Sequence, residues 1–392
     1  MKKTIKDIDV ANKRVFLRVD FNVPLDDNGL IIDDTRIRLE LPTIRYLLQH
    51  NAKVIICSHL GRPNGEKNPK YSLLPVAKYL VKELLGRVFF VSDCMGEEVE
   101  AKAKLLRPGE VLLLENVRFY KEEESNDPVF AKKLASLADI YVDDAFGTAH
   151  RKHASNYGVA TLLPNAVGFL MGKEINAIKS VIDNPERPLV AILGGAKVSD
   201  KITLLNHLAE KCNTLLIGGG MAFTFLKALG IKVGNSLVDD EKIDTARQIL
   251  ETAKQNNVKV VLPVDYLCAT EFSPNAKAKK FKNGIADGYQ GLDIGPKTVK
   301  LFLKEIKTAK SIIWNGPLGV FEFKNFSKGT IAIAKAVLKF KGKAVVGGGD
   351  SVSAIKKVGN TDKIYHVSSG GGASLKLMAG EKLPGVEVIQ EL

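Results

Sequence analysis

The amino-acid sequence predicts an α/β protein with two doubly wound domains, each built around a parallel sheet. The chain has 392 residues, which is more than a single hydrophobic core usually supports. Short runs of Val, Ile, Leu and Phe recur without polar alternation, as expected of strands that are buried on both faces. Helical patterns lie between many of these runs, and alternating strands and helices produce parallel sheets.

The predicted strands fall into two sets. Their sequences are RVFLRVDFN, KVIICSHL, RVFFVSD, EVLLLENVRF and DIYVDDAF, then LVAILGGAK, TLLIGGGMA, KVVLPVDYL, SIIWNGPLG, KAVVGGGDS and KIYHVSSGGG. After the first strand, PTIRYLLQ places Ile44, Leu47 and Leu48 on one helical face, with Pro42 in the predicted first turn. We assign residues 1–167 to the first domain, 168–182 to a connecting helix and 183–379 to the second domain.

The composition disfavours several classes of function. A net charge of +13 is typical of a lysine-rich surface or of a protein that binds anions. Nucleic acid is a poor partner, because the most basic segment, NAKAKKFKNG, resembles a loop and contains little aromatic character. No apolar run approaches a membrane span, and MKKTIKDIDV lacks the apolar segment of a signal peptide. Four cysteines without a CxxC pair indicate buried free thiols and a cytoplasmic protein.

The two halves differ in the residues available to ligands. Ten of the twelve arginines lie at or before Arg151, whereas 24 of the 34 glycines lie at or after Gly194. Arginine offers a planar fork for carboxylate and phosphate, and glycine lets backbone N–H groups approach phosphate closely. Because ligands of parallel sheets bind beyond the carboxyl ends of the strands, the first half is expected to bind a small anion and the second a nucleotide.

Candidate anion ligands follow the strands of the first half. RVDFNVP places Asp20 and Asn22 at a strand end, where turn formation is the alternative role. SHLGRP places His59 and Arg62 around a glycine after the second strand, although a loop histidine with a surface arginine would look the same. Further arginines at predicted element ends are Arg36, Arg118 and Arg151. Together these arginines would form a positive cluster that an anion relieves.

Candidate nucleotide ligands follow the strands of the second half. GGAKVSDKITLLNHL predicts a helix with Lys197 and Lys201 on one face, directed at phosphates or simply solvated. In VVGGGDSVSAI, Gly348 and Gly349 would allow close approach to phosphate, which helix N–H groups around Ser351 would hold. Asp350 in the same segment suits Mg²⁺, or caps the helix.

Two further strand ends in this half are open to more than one interpretation. IIWNGPLGVFEF presents Asn315 and Glu322, the latter for ribose hydroxyls or as a surface residue. SSGGGAS at 368–374 would offer backbone N–H donors or form a tight turn.

Several catalytic motifs are missing from the sequence. GxxxxGK[ST] does not occur, nor do HRD and DFG, and no GxGxxG follows a strand with an acid about 20 residues on. P-loop enzymes, protein kinases and dinucleotide oxidoreductases are therefore disfavoured. Asp143 and Asp144 form an acidic pair without an evident third metal ligand, so capping and turn roles are favoured.

Eight segments, taken together, resemble one family closely. RVDFNVP, SHLGRP, ENVRF, DDAFGTAHR, GGAKVSDKI, WNGPLGVFE, GGGDS and SSGGGAS resemble the motifs of phosphoglycerate kinases, in the family's order, over residues 18 to 374. The resemblance implies two Rossmann-like domains around a hinged cleft. We expect this cleft to close when both ligands are bound, because phosphoryl transfer needs reacting atoms about 3–3.5 Å apart in line. It also implies that the chain end, about 380–392, returns to the first domain.

The resemblance further implies a role for each motif residue. The first domain would hold 3-phosphoglycerate or 1,3-bisphosphoglycerate, and the second MgADP or MgATP, in a monomeric glycolytic enzyme. The glycerate ligands would be Asp20, Phe21, Asn22, Arg36, His59, Leu60, Gly61, Arg62, Arg118 and Arg151. The nucleotide ligands would be Lys201, Asn315, Glu322, Gly348, Gly349, Asp350 and Ser351, with Asp350 at Mg²⁺. No nucleotide ligand is assigned at position 292, because Leu292 stands there and not a glycine. Arg36, Lys197, Gly371 and Gly372 would stabilise the transferring group. A non-catalytic module that binds nucleotides or anions is the alternative.

Overall fold

The computed structural model describes residues 2–392 and divides into two compact units. The first comprises Met1–Ile175 with Lys382–Leu392, and the second comprises Asn176–Glu381. Each unit contains a six-stranded sheet in which all strand pairs are parallel. The predicted fold class, two α/β domains with parallel sheets, is therefore confirmed.

The first unit is built on a sheet with strand order β3-β4-β2-β1-β5-β6. Its strands are β1 (Arg14–Arg18), β2 (Lys53–Cys57), β3 (Val88–Phe90), β4 (Val111–Leu113), β5 (Ile140–Asp143) and β6 (Asn165–Val167). Its helices are α1 (Thr35–Gln49), α2 (Leu74–Glu83), α3 (Glu97–Leu105), α4 (Lys121–Ser125) and α5 (Pro128–Ala135). Helix α6 (Phe169–Ile182) begins in this unit and continues into the second. The order in which successive strands are added to the sheet reverses between β1 and β5, which is where such sheets bind ligands.

The second unit contains a parallel sheet with order β15-β14-β13-β7-β8-β9 and a three-stranded antiparallel sheet with order β11-β10-β12. The strands are β7 (Leu189–Leu193), β8 (Thr214–Ile217), β9 (Lys259–Val261), β10 (Asp265–Ala269), β11 (Lys279–Lys282), β12 (Gln290–Ile294), β13 (Ser311–Asn315), β14 (Lys343–Gly347) and β15 (His366–Val367). The helices are α7 (Ile202–Lys211), α8 (Met221–Ala228), α9 (Ile243–Gln255), α10 (Pro296–Thr308), α11 (Lys328–Lys339), α12 (Gly349–Lys356) and α13 (Gly372–Met378).

The end of the chain belongs to the first unit, where it forms helix α14 (Pro384–Glu387). The Nζ of Lys2 donates a hydrogen bond to the Ile389 carbonyl at 2.9 Å, and the Gln390 N–H donates to Asn165 Oδ1 at 2.8 Å. Both chain termini are thereby fixed beside β6. No helix among residues 2–392 has the length and apolar character needed to cross a bilayer.

The structure corrects the predicted start of helix α1. Pro42 lies inside α1 rather than in its first turn, because the helix begins at Thr35. Ile37 and Leu41 extend the apolar stripe of Ile44 and Leu47 backwards by two turns, and all four side chains are buried. This earlier start places Arg36 in the first turn of α1, beside the end of β1.

Four strands differ from the prediction. NAKAKKFKNG, predicted as a loop, contains β11, whose lysine-rich residues pair with β10 at the edge of the antiparallel sheet. KVVLPVDYL forms two strands, β9 and β10, because residues 262–264 interrupt the strand, with a bend at Val264. Strands β6 and β12 were missed, because NAV and QGLDI are not the unbroken apolar runs by which the other strands were identified.

The single tryptophan provides a stability test of the second core. Trp314 is fully buried in β13, and its indole N–H donates to the Gly316 carbonyl at 2.8 Å. Trp314→Phe removes that donor and leaves a buried carbonyl unpaired, so we expect a loss of about 1–3 kcal/mol in unfolding free energy. Urea unfolding followed by circular dichroism measures it. Phe89→Leu, a change at a half-exposed side chain, is the control, and equal midpoints for the two variants would contradict the prediction.

Candidate functional site

The end of β1 and the start of α1 bring Asp20 and Arg36 together in the first unit. Asp20 follows β1, and its Oδ2 forms an ion pair with Arg36 Nη1. The Arg36 side chain is 38% exposed, whereas that of Asp20 is 10% exposed. One side of the arginine is therefore held by protein, and the rest is available to a ligand.

The loops after β1, β2 and β4 are linked through Gly61. Asn22 Oδ1 accepts the Gly61 N–H at 2.8 Å, and Arg118 Nη1 donates to the Gly61 carbonyl at 2.9 Å. Gly61 has a φ of +61°, and an added Cβ would collide with the Tyr71 ring. The segment SHLGRP is thus held in one conformation between two side chains that the sequence analysis selected.

The side chains of Phe21 and Leu60 serve the core rather than the surface. Both belong to the hydrophobic cluster of the first unit. The Phe21 N–H donates to Ser58 Oγ at 2.9 Å, and the Leu60 carbonyl accepts Asn116 Nδ2 at 2.7 Å. These two residues therefore anchor the loops that carry the polar ligands. Arg62 lies exposed at the surface of the same loop.

Four arginines create a strongly positive environment around two buried histidines. Burial, then Arg18, Arg118 and Arg36, hold the pKa of His59 well below its usual range. Burial and the nearby arginines also lower the pKa of His153 to about 3. Both histidines are therefore neutral at physiological pH, so the 3.9 Å approach of His59 Nδ1 to Asp20 Oδ1 is not an ion pair.

Arg118 and Arg151 complete this positive region. Burial, with Arg18 and Arg151 nearby, lowers the pKa of Arg118 to about 10, and Glu124 acts in the opposite direction. Arg151 Nε lies 3.2 Å from His150 Nε2. Arg118 Nε is buried without a hydrogen-bond partner among the described residues, although Glu124 Oε1 lies 3.4 Å from it. The cluster is therefore suited to an anion with several charges.

Arg18, which was not among the predicted site residues, lies at the centre of this cluster. Arg18 ends β1 and is 1% exposed. Its Nε donates to Ser155 Oγ at 2.7 Å, and its Nη2 lies 3.2 Å from His59 Nδ1. Ser155 Oγ in turn donates to the buried Glu123 at 2.7 Å. An arginine within an otherwise apolar strand was the available signal, because a buried charge requires a specific partner.

In the second unit, two glycine-rich strand ends pack backbone against backbone. Gly194 follows β7, and its N–H donates to the Asn315 carbonyl at 3.0 Å, while the Gly195 N–H donates to the Pro317 carbonyl at 2.9 Å. A Cβ at Gly194 would collide with the Pro317 carbonyl. The order in which successive strands are added to the sheet reverses between β7 and β13, so this glycine surface lies where nucleotide sites occur in such sheets.

The two predicted lysines do not share a helical face, because α7 begins only at Ile202 and Ser199–Lys201 forms a 3₁₀ turn. Lys197 is exposed in the preceding loop. Lys201 Nζ is turned inward and donates to the Gly194 carbonyl at 2.7 Å and to Asn315 Oδ1 at 2.6 Å. Burial lowers the pKa of Lys201 to about 8, while Asp200 and Asp350 act in the opposite direction.

Helix α12 presents its first turn to the same region. Gly348 precedes it with a φ of +87°, and a Cβ on Gly349 would meet only open space. Asp350 is exposed, whereas Ser351 is buried with its Oγ accepting the Gly316 N–H at 2.6 Å. The Ser351 hydroxyl therefore fixes the loop after β13, and the carboxylate of Asp350 is open to solvent.

A largely apolar cavity of about 450 Å³ adjoins these groups in the second unit. Its walls combine glycine backbone with the side chains of Phe223, Tyr266 and Leu318, and Glu322 and Asp350 lie at its lining. This size and character suit a flat heterocycle with polar substituents at one end. The backbone N–H groups of Gly371 and Gly372, at the exposed start of α13, belong to the same unit.

The wall of this cavity also includes Leu292, a position at which no nucleotide ligand was predicted. No role was assigned at position 292, because the residue there is a leucine and not a glycine. The structure places Leu292 in β12, where it is buried and lines the cavity. Its carbonyl accepts the Val320 N–H at 2.8 Å, so it also holds the segment that leads to Glu322. An apolar wall is formed by side chains, so a search for glycines and polar residues alone does not find it.

The sequence matches the family description "Phosphoglycerate kinase" over residues 5–381. The chain belongs to the phosphoglycerate kinase family. It is 53% identical to the phosphoglycerate kinase of Pseudothermotoga lettingae, covering 100% of this chain and 99% of that protein. It is also 53% identical to phosphoglycerate kinase 3, cytosolic, of Arabidopsis thaliana, covering 99% and 98%. The solved phosphoglycerate kinase of Coxiella burnetii superposes with a TM-score of 0.92 at 41% identity, covering 99% and 98%.

Membership of this phosphoglycerate kinase family defines the reaction. The enzyme transfers a phosphoryl group reversibly from 1,3-bisphosphoglycerate to ADP, giving 3-phosphoglycerate and ATP in glycolysis. It is a phosphotransferase with a carboxyl group as acceptor. The non-catalytic binding module considered above is not favoured.

The buried position of Lys201 predicts a pH dependence of nucleotide binding. The free protein loses the Lys201 charge as pH rises through about 8, so the dissociation constant for ADP should increase over that range. Lys201→Met removes the titrating group and should flatten the profile, whereas the exposed-site variant Lys197→Met should keep it. Titration calorimetry at constant ionic strength measures these constants. Identical profiles for the wild type and Lys201→Met would contradict the assignment.

Proposed function

We propose that the first unit binds the glycerate substrate through its arginine cluster. The observation that carries this proposal is the clustering of Arg18, Arg36, Arg118 and Arg151 around His59 and His153. Burial and these arginines together lower the pKa of both histidines. A phosphate and a carboxylate on a three-carbon ligand match this charge and the forked geometry of arginine. Asp20 and Asn22 would accept and orient the substrate hydroxyl, and Arg62 would contribute from the exposed loop. Arg36, Arg118 and Arg151 would bind the phosphate and the carboxylate of the substrate through their positive charge.

We propose that the second unit binds the adenine nucleotide. The apolar cavity would take the base, Glu322 the ribose hydroxyls, and the glycine surface around Gly348 and Gly349 the phosphates. Lys201 and Asn315 would exchange their mutual hydrogen bond for contacts with phosphate oxygens. Helix α12 would add the N–H groups of its first turn, which favour anions.

We propose that Mg²⁺ binds with the nucleotide at Asp350. Among residues 2–392 no three His, Cys, Asp or Glu side chains are grouped as a metal site. One exposed carboxylate beside a phosphate surface nevertheless fits this ion, which usually takes one or two carboxylates together with phosphates and water. Mg²⁺ would reduce the negative charge of the nucleotide phosphates.

The proposed mechanism relies on positioning and charge. In the reverse reaction the substrate carboxylate attacks the terminal phosphorus of ATP, the bond to the leaving oxygen breaks, and ADP departs. A carboxylate is already ionised at pH 7, so no protein base is needed. Arg36, Lys197 and the N–H groups of Gly371 and Gly372 would stabilise the charge on the transferring group. These cationic side chains and N–H groups would stabilise the negative charge without gaining or losing a proton.

We further propose that the enzyme acts as a monomer in the cytoplasm. The relative from Arabidopsis thaliana is named cytosolic. All four cysteines are free and buried in the structure, which suits a reducing compartment.

Replacing Arg36 tests the assignment of the glycerate site. Arg36→Ala should reduce kcat by about 10²–10³-fold, as expected for one preorganised donor, with little change in ADP affinity. A coupled assay of ATP formation from 1,3-bisphosphoglycerate gives kcat, and calorimetry gives the affinity. Arg38→Ala, two residues further along α1 and largely exposed, is the control. Turnover of Arg36→Ala within a few-fold of the wild type would exclude the role.

Replacing Asp350 tests the metal assignment. Asp350→Asn keeps the size of the side chain but removes the charge that attracts Mg²⁺. We expect half-maximal activity to require at least several-fold more Mg²⁺, with the glycerate KM unchanged. A magnesium titration at saturating substrates measures the requirement, and Asp362→Asn in the same unit serves as a control. An unaltered titration curve for Asp350→Asn would argue against the site.

A further inference from the structure

Two buried carboxyl groups lie directly behind Asp20 and Arg36. Glu40 follows Arg36 by four residues, so both lie on one face of α1. Glu40 is 1% exposed, and its Oε1 accepts the Asp20 N–H at 3.0 Å. Asp144, immediately after β5, is 0% exposed and within hydrogen-bonding reach of Glu40.

Asp144 also holds the beginning of α6. Its Oδ1 accepts the Met171 N–H at 2.8 Å, while Thr43 Oγ1 on α1 accepts the Phe169 N–H at 2.9 Å. A Cβ on Gly168 would collide with the Asp144 carboxyl group. Glu40 and Asp144 together thus connect three elements: the end of β1, helix α1 and the first turn of α6.

One oxygen of each carboxyl group is left without a donor. Among the described residues, Glu40 Oε2 and Asp144 Oδ2 are buried and have no hydrogen-bond partner when both groups are taken as ionised. Two neighbouring carboxylates cannot both stay charged in a dry site. Burial and Asp144 raise the pKa of Glu40 well above its usual range, and burial raises the pKa of Asp144 to about 6. A single proton between the two groups satisfies both oxygens.

We propose that Glu40 and Asp144 share one proton in a buried hydrogen bond, and that this bond positions Asp20 and Arg36 for the glycerate substrate. Glu40 is then a positioning residue that acts through the Asp20 backbone and through helix α1. The proposal rests on the glycerate site assigned above. It gives the acidic pair after β5 a purpose that neither metal binding nor turn formation supplies.

A buried aspartate also caps a helix in the second unit, and it separates the effect of capping from that of the shared proton. In the second unit Asp265 occupies an equivalent position, since its Oδ2 and Oδ1 accept the N–H groups of Lys297 and Thr298 at 3.0 and 2.8 Å, at the start of α10. A Cβ on Gly295 would collide with that carboxyl group, as one on Gly168 would with Asp144. Asp265 therefore provides a matched control for a buried capping aspartate.

The other charged and polar groups around Glu40 and Asp144 determine which of the two carboxyl groups holds the shared proton. Asp20 adds negative charge beside Glu40, and it is paired with Arg36. On the other side, burial raises the pKa of Asp143 to about 7, and Arg18 acts in the opposite direction. Thr43 and the N–H groups at the start of α6 donate to Asp144 and favour its ionised form. The proton therefore resides mainly on Glu40.

Infrared spectroscopy tests the shared proton itself. The difference spectrum between the wild type and Glu40→Gln at neutral pH should contain the carbonyl stretch of a protonated carboxylic acid, shifted by deuterium exchange. Asp265→Asn should show no loss of that band. A difference spectrum containing only carboxylate bands would overturn the proposal, whatever the kinetics show.

Steady-state kinetics test the positioning role. Glu40→Ala should raise the KM for 3-phosphoglycerate by roughly tenfold, the effect of losing one buried hydrogen-bond partner, with the KM for ATP unchanged. Glu40→Gln retains an acceptor for Asp20 and a donor for Asp144, so it should restore most of the lost affinity. Asp265→Asn should alter the melting temperature without affecting the glycerate KM. Equal effects of Glu40→Ala on both substrates, or no recovery in Glu40→Gln, would overturn the positioning role.

The two proposals fail in distinguishable ways. If Arg36→Ala keeps full turnover, the glycerate assignment is wrong even when the infrared band of Glu40 is present. If Arg36→Ala is inactive and the band is missing, only the shared proton is wrong. Should Glu40→Ala not fold, Glu40→Gln and the infrared difference spectrum still decide the question.

Discussion

Parallel pairing makes all strands of a sheet end at the same edge, and the rest of this structure depends on that constraint. At such an edge the backbone leaves the sheet, and polar groups must find partners outside the strand ladder. The first unit provides them with charged side chains, as where Arg118 donates to the Gly61 carbonyl. The second unit provides them with backbone, as where Gly195 donates to the Pro317 carbonyl. The same geometrical requirement therefore produced a charged surface in one unit and a glycine surface in the other.

The buried guanidinium of Arg18 determines the character of the charged surface. Moving an unpaired charge out of water is costly, so its surroundings must supply oriented partners. Ser155 meets the guanidinium directly, and Glu123 reaches it through the Ser155 hydroxyl. Burial, together with this charge and the neighbouring arginines, lowers the pKa of both His59 and His153. The arginine thus keeps two potential bases neutral, consistent with a reaction that requires no proton transfer to protein.

Strand-end residues could be predicted from the sequence because unbroken apolar runs identify buried strands, and ligands bind where those strands end. Asp20, His59 and Asp350 were found in this way. Arg18 was not predicted as a site residue, because it lies within the run RVFLRVDFN rather than at the end of that run. The helix predicted to include Lys201 was started too early. Val198 is buried and fits the apolar stripe, but α7 begins only at Ile202. The lysine-rich strand β11 lacks any apolar pattern, and its pairing with β10 is a tertiary property.

The inward position of Lys201 has a consequence for selectivity among anions. Its ammonium group is already surrounded by protein oxygens, from Gly194 and from both the backbone and the side chain of Asn315. An incoming anion must compete with these acceptors, so the interaction is an exchange in which a weak acceptor such as chloride gains little. Only a strongly basic, multiply charged oxyanion has enough advantage to displace them. In the nucleotide site proposed above, these resting hydrogen bonds would therefore favour phosphate groups over small, weakly basic anions.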